Sequence, residues 1–310
     1  MDTPTIRPAD FSHIEHIRAD DPILVHSVKS FGHAPEHNVH HYLCETIGCG
    51  GHPEAFVLPT GESLWAAKYD DEYFTFSEPV TSDARKAPLL LAGIEHMFSL
   101  PGIKKVVLEL HDSSREALLG ILPKTLRAIK PRYILHWPLY DIHSYDSQLG
   151  GKKFKKLRNT LNRFRATHQL AVVPTSSVAR EDLINVVRAW NGNRNRNDYA
   201  YTAAYERHIQ EGFPAALSAR AMLVDGRVVG FNAGWEVPNR PGLYYASIGL
   251  HDYSIEGLGV AMYVEDFDWI KAHGYTVADL AGTEGNCTNF KKQFGPKSFY
   301  RSTIFAIARA

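Results

Sequence analysis

Hydrophobic and polar positions along the 310 residues change period repeatedly, and each change marks an element. Residues 55–58 and 63–69 read as strands around the turn Pro59-Thr60-Gly61-Glu62, and 73–76 continue that series. A helical period covers 84–98. Residues 105–110 form an apolar run suited to a buried strand, followed by a predicted helix over 114–129 and a strand over 132–137. In the second half the pattern predicts a helix over 152–167, a strand over 169–174, and helices over 179–191 and 202–212. Residues 219–236 read as two strands joined at Asp225-Gly226, a hairpin turn signal. A strand over 242–248, a helix over 256–272 and short strands at 277–280 and 302–308 complete the chain. Each half thus predicts a mixed sheet flanked by helices, an α/β fold with α+β character. The polar stretch 143–151, ending in Gly150-Gly151, predicts the boundary between lobes over 1–148 and 149–310.

Composition narrows the class. A chain that is 44% hydrophobic and 22% charged can bury a sizeable core. No run of 18 apolar residues exists, so no transmembrane segment is expected. The first residues show neither a basic nor an apolar leader region, and three cysteines are too few for a disulfide scaffold. These features predict a reduced, cytoplasmic setting. Net charge is zero, which excludes a general polyanion-binding protein, yet the charge is unevenly placed. Residues 1–150 carry 13 basic and 20 acidic groups; residues 151–310 carry 21 and 14. The segment 151–165 alone holds seven basic residues and no acid.

Within that segment Phe154, Leu157, Leu161 and Phe164 recur at spacings of three, four and three, one stripe of an amphipathic helix. Cations crowded without acids repel one another unless an anion neutralises them, whereas ordinary solvated helices mix signs. The segment therefore predicts contact with phosphate or nucleic acid through Lys152, Lys153, Lys156, Arg158 and Arg163. A plain solvated face and docking on anionic lipid are the competing readings. Gly257 and Gly259 open a helix directly after a strand, where exposed backbone amides can hold an anion, although glycines there also serve packing. The string is neither a P-loop nor a dinucleotide fingerprint. A polar glycine loop at 282–289 leads into a short helix bearing Phe290 and Lys291. Histidines and cysteines at positions 33, 37, 40, 41, 44, 49 and 52 include the i,i+4 pairs His37/His41 and His40/Cys44, but no standard zinc spacing. No metal is expected.

The string Gly151-Lys-Lys-Phe-Lys-Lys-Leu-Arg-Asn-Thr-Leu-Asn-Arg-Phe-Arg165 resembles the opening of the phosphatidylglycerol lysyltransferase C-terminal domain family, in the Fem-like branch of the GNAT acyltransferase superfamily. Trp190, Val224–Phe231, the Gly257-Leu-Gly259 turn and Asn289-Phe-Lys-Lys-Gln-Phe-Gly-Pro296 follow in the order that resemblance requires. It covers roughly residues 150–310, and architecture alone extends it to the first half. The resemblance implies a tandem GNAT-like fold and transfer of an aminoacyl group from aminoacyl-tRNA, with no tightly bound cofactor. It implies a site where the central strands splay beside Gly257 and Gly259. Glu236 is then the candidate general base, Tyr245 and Asp252 line the cleft, and Lys291, Asn286 and Phe290 reach it from the C-terminal loop. These 310 residues contain no membrane domain, a departure from the lipid-modifying members. The acceptor stays open among small molecules, lipid headgroups and peptides. An acyl-CoA-dependent N-acyltransferase and a non-catalytic tandem GNAT binding module are the alternatives.

Overall fold

The computed structural model describes residues 5–193 and 201–310. Its elements run β1 (Ser12–Ile14), α1 (Pro22–Phe31), α2 (Val39–Gly48), β2 (His52–Val57), β3 (Ser63–Lys68), β4 (Glu72–Thr75), α3 (Lys86–Ser99), β5 (Lys105–His111), α4 (Asp112–Ile121) and β6 (Leu126–Ala128). They continue as β7 (Tyr133–Asp141), α5 (Lys155–Thr167), β8 (Leu170–Pro174), α6 (Arg180–Gly192), α7 (Thr202–Gln210), β9 (Ser218–Val224), β10 (Arg227–Glu236), β11 (Leu243–His251), α8 (Leu258–Ala272), β12 (Val277–Asp279), α9 (Gly285–Lys292) and β13 (Ser298–Arg309).

The chain divides into two compact units: Met1–His136 with Val237–Asn239 and Tyr300–Ala310, and Trp137–Glu236 with Arg240–Phe299. This division differs from the 148/149 boundary read in the sequence. The reason is that the polar stretch 143–151 is no linker. It folds onto the second unit's core through Tyr145 and Leu149, and Lys271 Nζ donates to the Tyr145 carbonyl at 2.6 Å. The end of the chain returns to the first unit, where Ser302–Ala308 pair antiparallel with β5.

The first unit's strands lie in the order β1-β2-β3-β4-β5-β13, and β6 also pairs β13. All these neighbours are antiparallel except β4 and β5, which run parallel with α3 as the crossover. Phe56, Leu64, Tyr73, Leu89 and Leu108 fill the core between α3 and the sheet. The helix expected over 114–129 ends at Ile121, because Pro123 cannot continue it and holds Leu122 extended; β6 takes the remainder.

In the second unit the order is β7-β12-β11-β10-β9-β8. Among the described residues only β11 and β12 are parallel here, and α8 is their crossover. The Asp225-Gly226 turn joins β9 and β10 with both residues at positive φ, 51° and 83°, as the two-residue hairpin requires. The stripe read in the basic segment is inward-facing: Leu157, Leu161 and Phe164 are buried and Phe154 half-buried. They pack beside Val260, Val264 and Phe267 of α8.

Candidate active site at the parallel strand pair

The parallel ladder between β11 and β12 is short. It joins Leu243, Tyr244 and Tyr245 to Val277, Ala278 and Asp279, and stops there. Strand β11 runs on to His251 paired only with β10, so the edge of β11 from Ala246 onward faces a gap at the carboxyl ends of the parallel strands. Such ends are where α/β sheets take ligands. A bulge widens the gap. Between the Ala233–Ile248 and Trp235–Tyr245 pairs, β11 holds one residue more than β10. Gly234 makes this possible, because a Cβ there would collide with the Tyr245 carbonyl oxygen. Ala246 and Ser247 are left half-exposed and Gly249 exposed.

Helix α8 begins below the gap. Gly257 is its N-cap at φ 86°, and no side chain caps the first turn, which leaves amide N–H groups for an anion. The two glycines also have packing roles. A Cβ on Gly257 would lie 3.1 Å from Phe164 Cβ and 3.3 Å from Thr160 Cγ2 of α5. A Cβ on Gly259 would lie 2.7 Å from Nε2 of His251. The basic helix and the glycine turn are therefore direct neighbours.

The far wall is the segment after β12. Asp279 is buried and accepts the Ala281 amide at 3.0 Å, and Ala281 is in the left-handed region at φ 62°. Lys291, only 6% exposed, donates from Nζ to the Leu280 carbonyl and, at 3.4 Å, to that of Ala281. Tyr140 Oη donates to the Lys291 carbonyl at 2.6 Å, which fixes the other end of the residue. Burial pushes the Lys291 ammonium below the ordinary lysine range, while Cys287 and Asp279 pull it back up. Phe290, half-buried, packs against Tyr263 at 5.2 Å between ring centroids.

The other residues singled out in the sequence fall in four places. Tyr245 lies at the last rung of the ladder, buried against Trp235 at 5.3 Å. Asn286 is exposed on α9. Asp252 serves the turn after β11: it accepts the Ser254 amide at 2.9 Å and its hydroxyl at 2.6 Å, and those bonds lower its carboxyl below the usual range against the upward push of burial. Glu236 is elsewhere. Because β10 and β11 are antiparallel, Glu236 pairs with Tyr244 while Gly230 pairs with His251. At about 3.3 Å per residue, Glu236 is roughly 20–25 Å along the strand from the glycine turn. There it accepts the Tyr275 hydroxyl at 2.8 Å.

The basic set is also smaller than its sequence suggests. Lys152 and Lys153 precede α5, and with Lys155 and Lys156 they are exposed. Arg158 turns back onto the carbonyls of Leu149 and Gly151, and Arg163 lies 3.6 Å from Glu256. The Arg158 acceptors lie only nine and seven residues back, where residue pattern does not show the fold-back, and Glu256 lies far along the chain.

His251 is the group that sequence reasoning missed. It closes β11 against Gly259, its Nδ1 is buried without a partner, and burial brings its pKa down to about 4. The only cue was its place at the strand–helix junction. In the first unit, the histidine-rich segment is built into the fold: His37 is buried, accepts the His33 amide at 3.1 Å and bonds the Glu78 carbonyl at 2.8 Å.

The family model for "Phosphatidylglycerol lysyltransferase, C-terminal" matches residues 35–292, most of the chain and both units. The chain belongs to this family. Its members are acyltransferases, and the fold agrees. L-PGS from Bacillus licheniformis superposes with a TM-score of 0.65 at 16% identity, covering 94% of this chain and 92% of that one. FemX gives 0.62 at 13% identity, over 95% and 96%. A tandem GNAT protein from the clavulanic acid biosynthesis pathway gives 0.57 at 10%, over 96% and 98%. At these identities the likeness establishes the tandem GNAT-like fold alone. No curated protein matches the chain. As a member of the phosphatidylglycerol lysyltransferase family, this chain extends the resemblance read from residue 151 back to residue 35. No helix among the described residues is long and apolar enough to cross a membrane.

Proposed function

We propose that the second unit transfers an aminoacyl group from aminoacyl-tRNA to an amine or hydroxyl acceptor, with the β11–β12 gap as the reaction site. The observation that carries this reading is the junction of three features. An open edge of β11, an uncapped helix start at Gly257 and the buried ammonium of Lys291 border one gap, and the basic residues of α5 adjoin it. An aminoacyl ester is already activated. The protein has to orient the nucleophile, accept its proton and stabilise the oxyanion that forms before the tRNA 3′-hydroxyl leaves. In this reading Lys291 supplies the positive charge, and Tyr245, Phe290 and Asn286 line the approach. Lys152, Lys153 and Lys156 hold tRNA phosphates, joined by Lys155, while Arg158 and Arg163 shape the loop and the helix contact. Glu236, opposite Tyr244 and bonded to the Tyr275 hydroxyl, lies near the closed end of the gap and far from the Gly257 turn, so it is left out of the donor-binding set.

The uncapped Gly257 turn also suits a pyrophosphate, which favours an acyl-CoA donor as the second reading. A transfer assay separates the two. Labelled aminoacyl-tRNA and acetyl-CoA are each offered with a panel of amine, peptide and phosphatidylglycerol acceptors. Label moves from aminoacyl-tRNA in the wild type and is lost in Lys291→Met. Transfer from acetyl-CoA alone replaces this reading by the second.

A further inference from the structure

An exposed aromatic ringed by lysines lies beside the gap of the second unit. Phe299 is 37% exposed, and Lys292 Nζ sits 5.7 Å from its ring centroid. Register fixes its height in the fold. The Lys297 amide donates to the Leu139 carbonyl at 2.8 Å, and Leu139 pairs with Asp279, the last residue of β12. Farther along, the Arg132 amide donates to the Ile304 carbonyl at 2.8 Å, so these two stretches run in opposite directions. Because β7 is also antiparallel to β12, Phe299 stands past the carboxyl end of β12, level with the gap and about two strand spacings, roughly 10 Å, to its side. Lys153 approaches from α5: its ammonium lies against Gly295, where no Cβ would fit, and 5.2 Å from the Phe154 ring. Lys153, Lys292 and Lys297 are exposed, and none forms an ion pair among the described residues. Asp141, the acid that Lys297 faces, is engaged by the Ser144 amide at 3.3 Å.

We propose that this surface holds the unpaired 3′ end of the aminoacyl-tRNA, with one base stacked on Phe299 and the phosphates neutralised by Lys153, Lys292 and Lys297. The site rests on the transfer reaction proposed for the gap and adds to it the path of the single strand. A duplex stem offers phosphates alone to a basic surface, whereas a single strand also exposes its base faces, and aromatic rings set among cations bind such strands. The ester on the terminal ribose has to reach Lys291, and Lys292 is the next residue of α9, so the patch leads to the gap. Charge selects the occupant: three cations without ion pairs continue the exposed lysines at the start of α5, and together they suit one extended polyanion. A lipid surface would ask for several protruding apolar groups, whereas the exposed residues just before Phe299 are Lys297 and Ser298.

The test is fluorescence anisotropy of the full chain with two labelled RNA duplexes, one carrying a short unpaired 3′ end and one blunt. The wild type is expected to bind the overhanging duplex more tightly. Phe299→Ala should weaken that binding roughly 5–150-fold, the range for one lost stacking contact, and leave the blunt duplex unchanged. Phe299→Trp should restore the preference, and both variants should match the wild type by circular dichroism because the ring is exposed. Lys292→Gln combined with Lys297→Gln should make the log–log salt slope shallower by about 0.7 per lost contact on a single strand. Equal binding of the two duplexes, or an overhang preference that survives Phe299→Ala, overturns the patch; label that still moves from aminoacyl-tRNA then leaves the transfer reaction standing. A wild type that binds neither duplex and transfers nothing from aminoacyl-tRNA overturns both. Binding to phosphatidylglycerol vesicles that depends on Phe299, with no overhang preference, replaces the RNA by a lipid surface.

Discussion

Both units contain a parallel strand pair crossed by one helix, yet their strand ends are finished in opposite ways. In the first unit the space beyond the β4–β5 ladder is filled by the loop after β4. Glu78 is buried there, and its carboxylate accepts the His111 amide at 2.8 Å and the Ser114 hydroxyl at 2.5 Å, with Lys86 Nζ at 3.0 Å. The side chain occupies the place a ligand would need. In the second unit no side chain caps the corresponding turn, and the edge of β11 beyond Tyr245 stays unpaired. The difference teaches that one topology leaves its strand ends filled in one unit and open in the other, according to whether the loop after the first parallel strand supplies a buried carboxylate or a pair of glycines.

The largest expected effects are on stability. Glu78→Ala should cost about 3–5 kcal/mol, because it leaves the His111 amide and the Ser114 hydroxyl without their acceptor and Lys86 with only the exposed Asp83 as partner. Phe164→Ala should cost a similar 3–5 kcal/mol through the cavity left between α5 and α8. Urea unfolding followed by hydrogen exchange should assign the first loss to the first unit and the second to the second unit. If Glu78→Ala leaves stability unchanged, the plugged-site account of the first unit fails.

Next comes Gly259→Val. The new side chain meets the His251 ring. A drop of roughly 1–3 kcal/mol from overpacking should accompany any binding defect. A thermal melt matching wild type would restore the purely ligand-facing role of this glycine.

Acid should distinguish the units further. In the first unit burial lowers His33, His111 and His37, the last to about 3, and Glu78 also titrates below its usual range, despite its burial, through His111, Lys86, Ser114 and the His111 amide. A depressed histidine resists protonation in the fold but not in the unfolded chain. Its stabilising contribution is therefore complete above about pH 6.5 and is lost as pH falls through the folded value. Glu78 loses its contribution in the same direction at lower pH, and buried Glu109, whose carboxyl is raised, opposes them. In the second unit His251, at about 4, is offset by Asp266, which burial raises to about 6 against the pull of Arg220. A raised carboxyl favours the fold as pH drops below 6. Hydrogen exchange between pH 7 and 4.5 should show the first unit opening before the second; the reverse order would contradict these assignments.

The smallest stability effect belongs to the combined change of Lys152, Lys153 and Lys156 to Glu. Exposed charges contribute at most about 1 kcal/mol each. Binding to tRNA should nonetheless weaken, with the log–log salt slope becoming shallower by roughly 0.9 per lost phosphate contact on duplex. An unchanged slope would reduce α5 to a solvated face.

What the sequence showed and hid follows from the range of each interaction. The α5 stripe, the Asp225-Gly226 hairpin and the alternation of strands and helices are local patterns, and they were legible. The end of the antiparallel pair that Glu236 occupies was hidden, because adjacency along the chain does not fix register. Arg158 was counted as free because residue pattern does not show a side chain folding back on the loop carbonyls just before it, and Arg163 because Glu256 lies far along the chain. Glu78 was invisible, since an isolated glutamate in an apolar context gives no hint of which strand ends converge on it. The family resemblance pointed to the strand–helix junction at Gly257, and the register decides which residues border it.

Hydrogen exchange of the wild-type chain with and without bulk aminoacyl-tRNA tests the contrast between the units most directly. The account predicts protection over residues 152–158 and 246–260 of the second unit, and no change over 76–80 and 109–112 of the first. Protection at those first-unit segments, or none over 246–260 at saturating aminoacyl-tRNA, would contradict it.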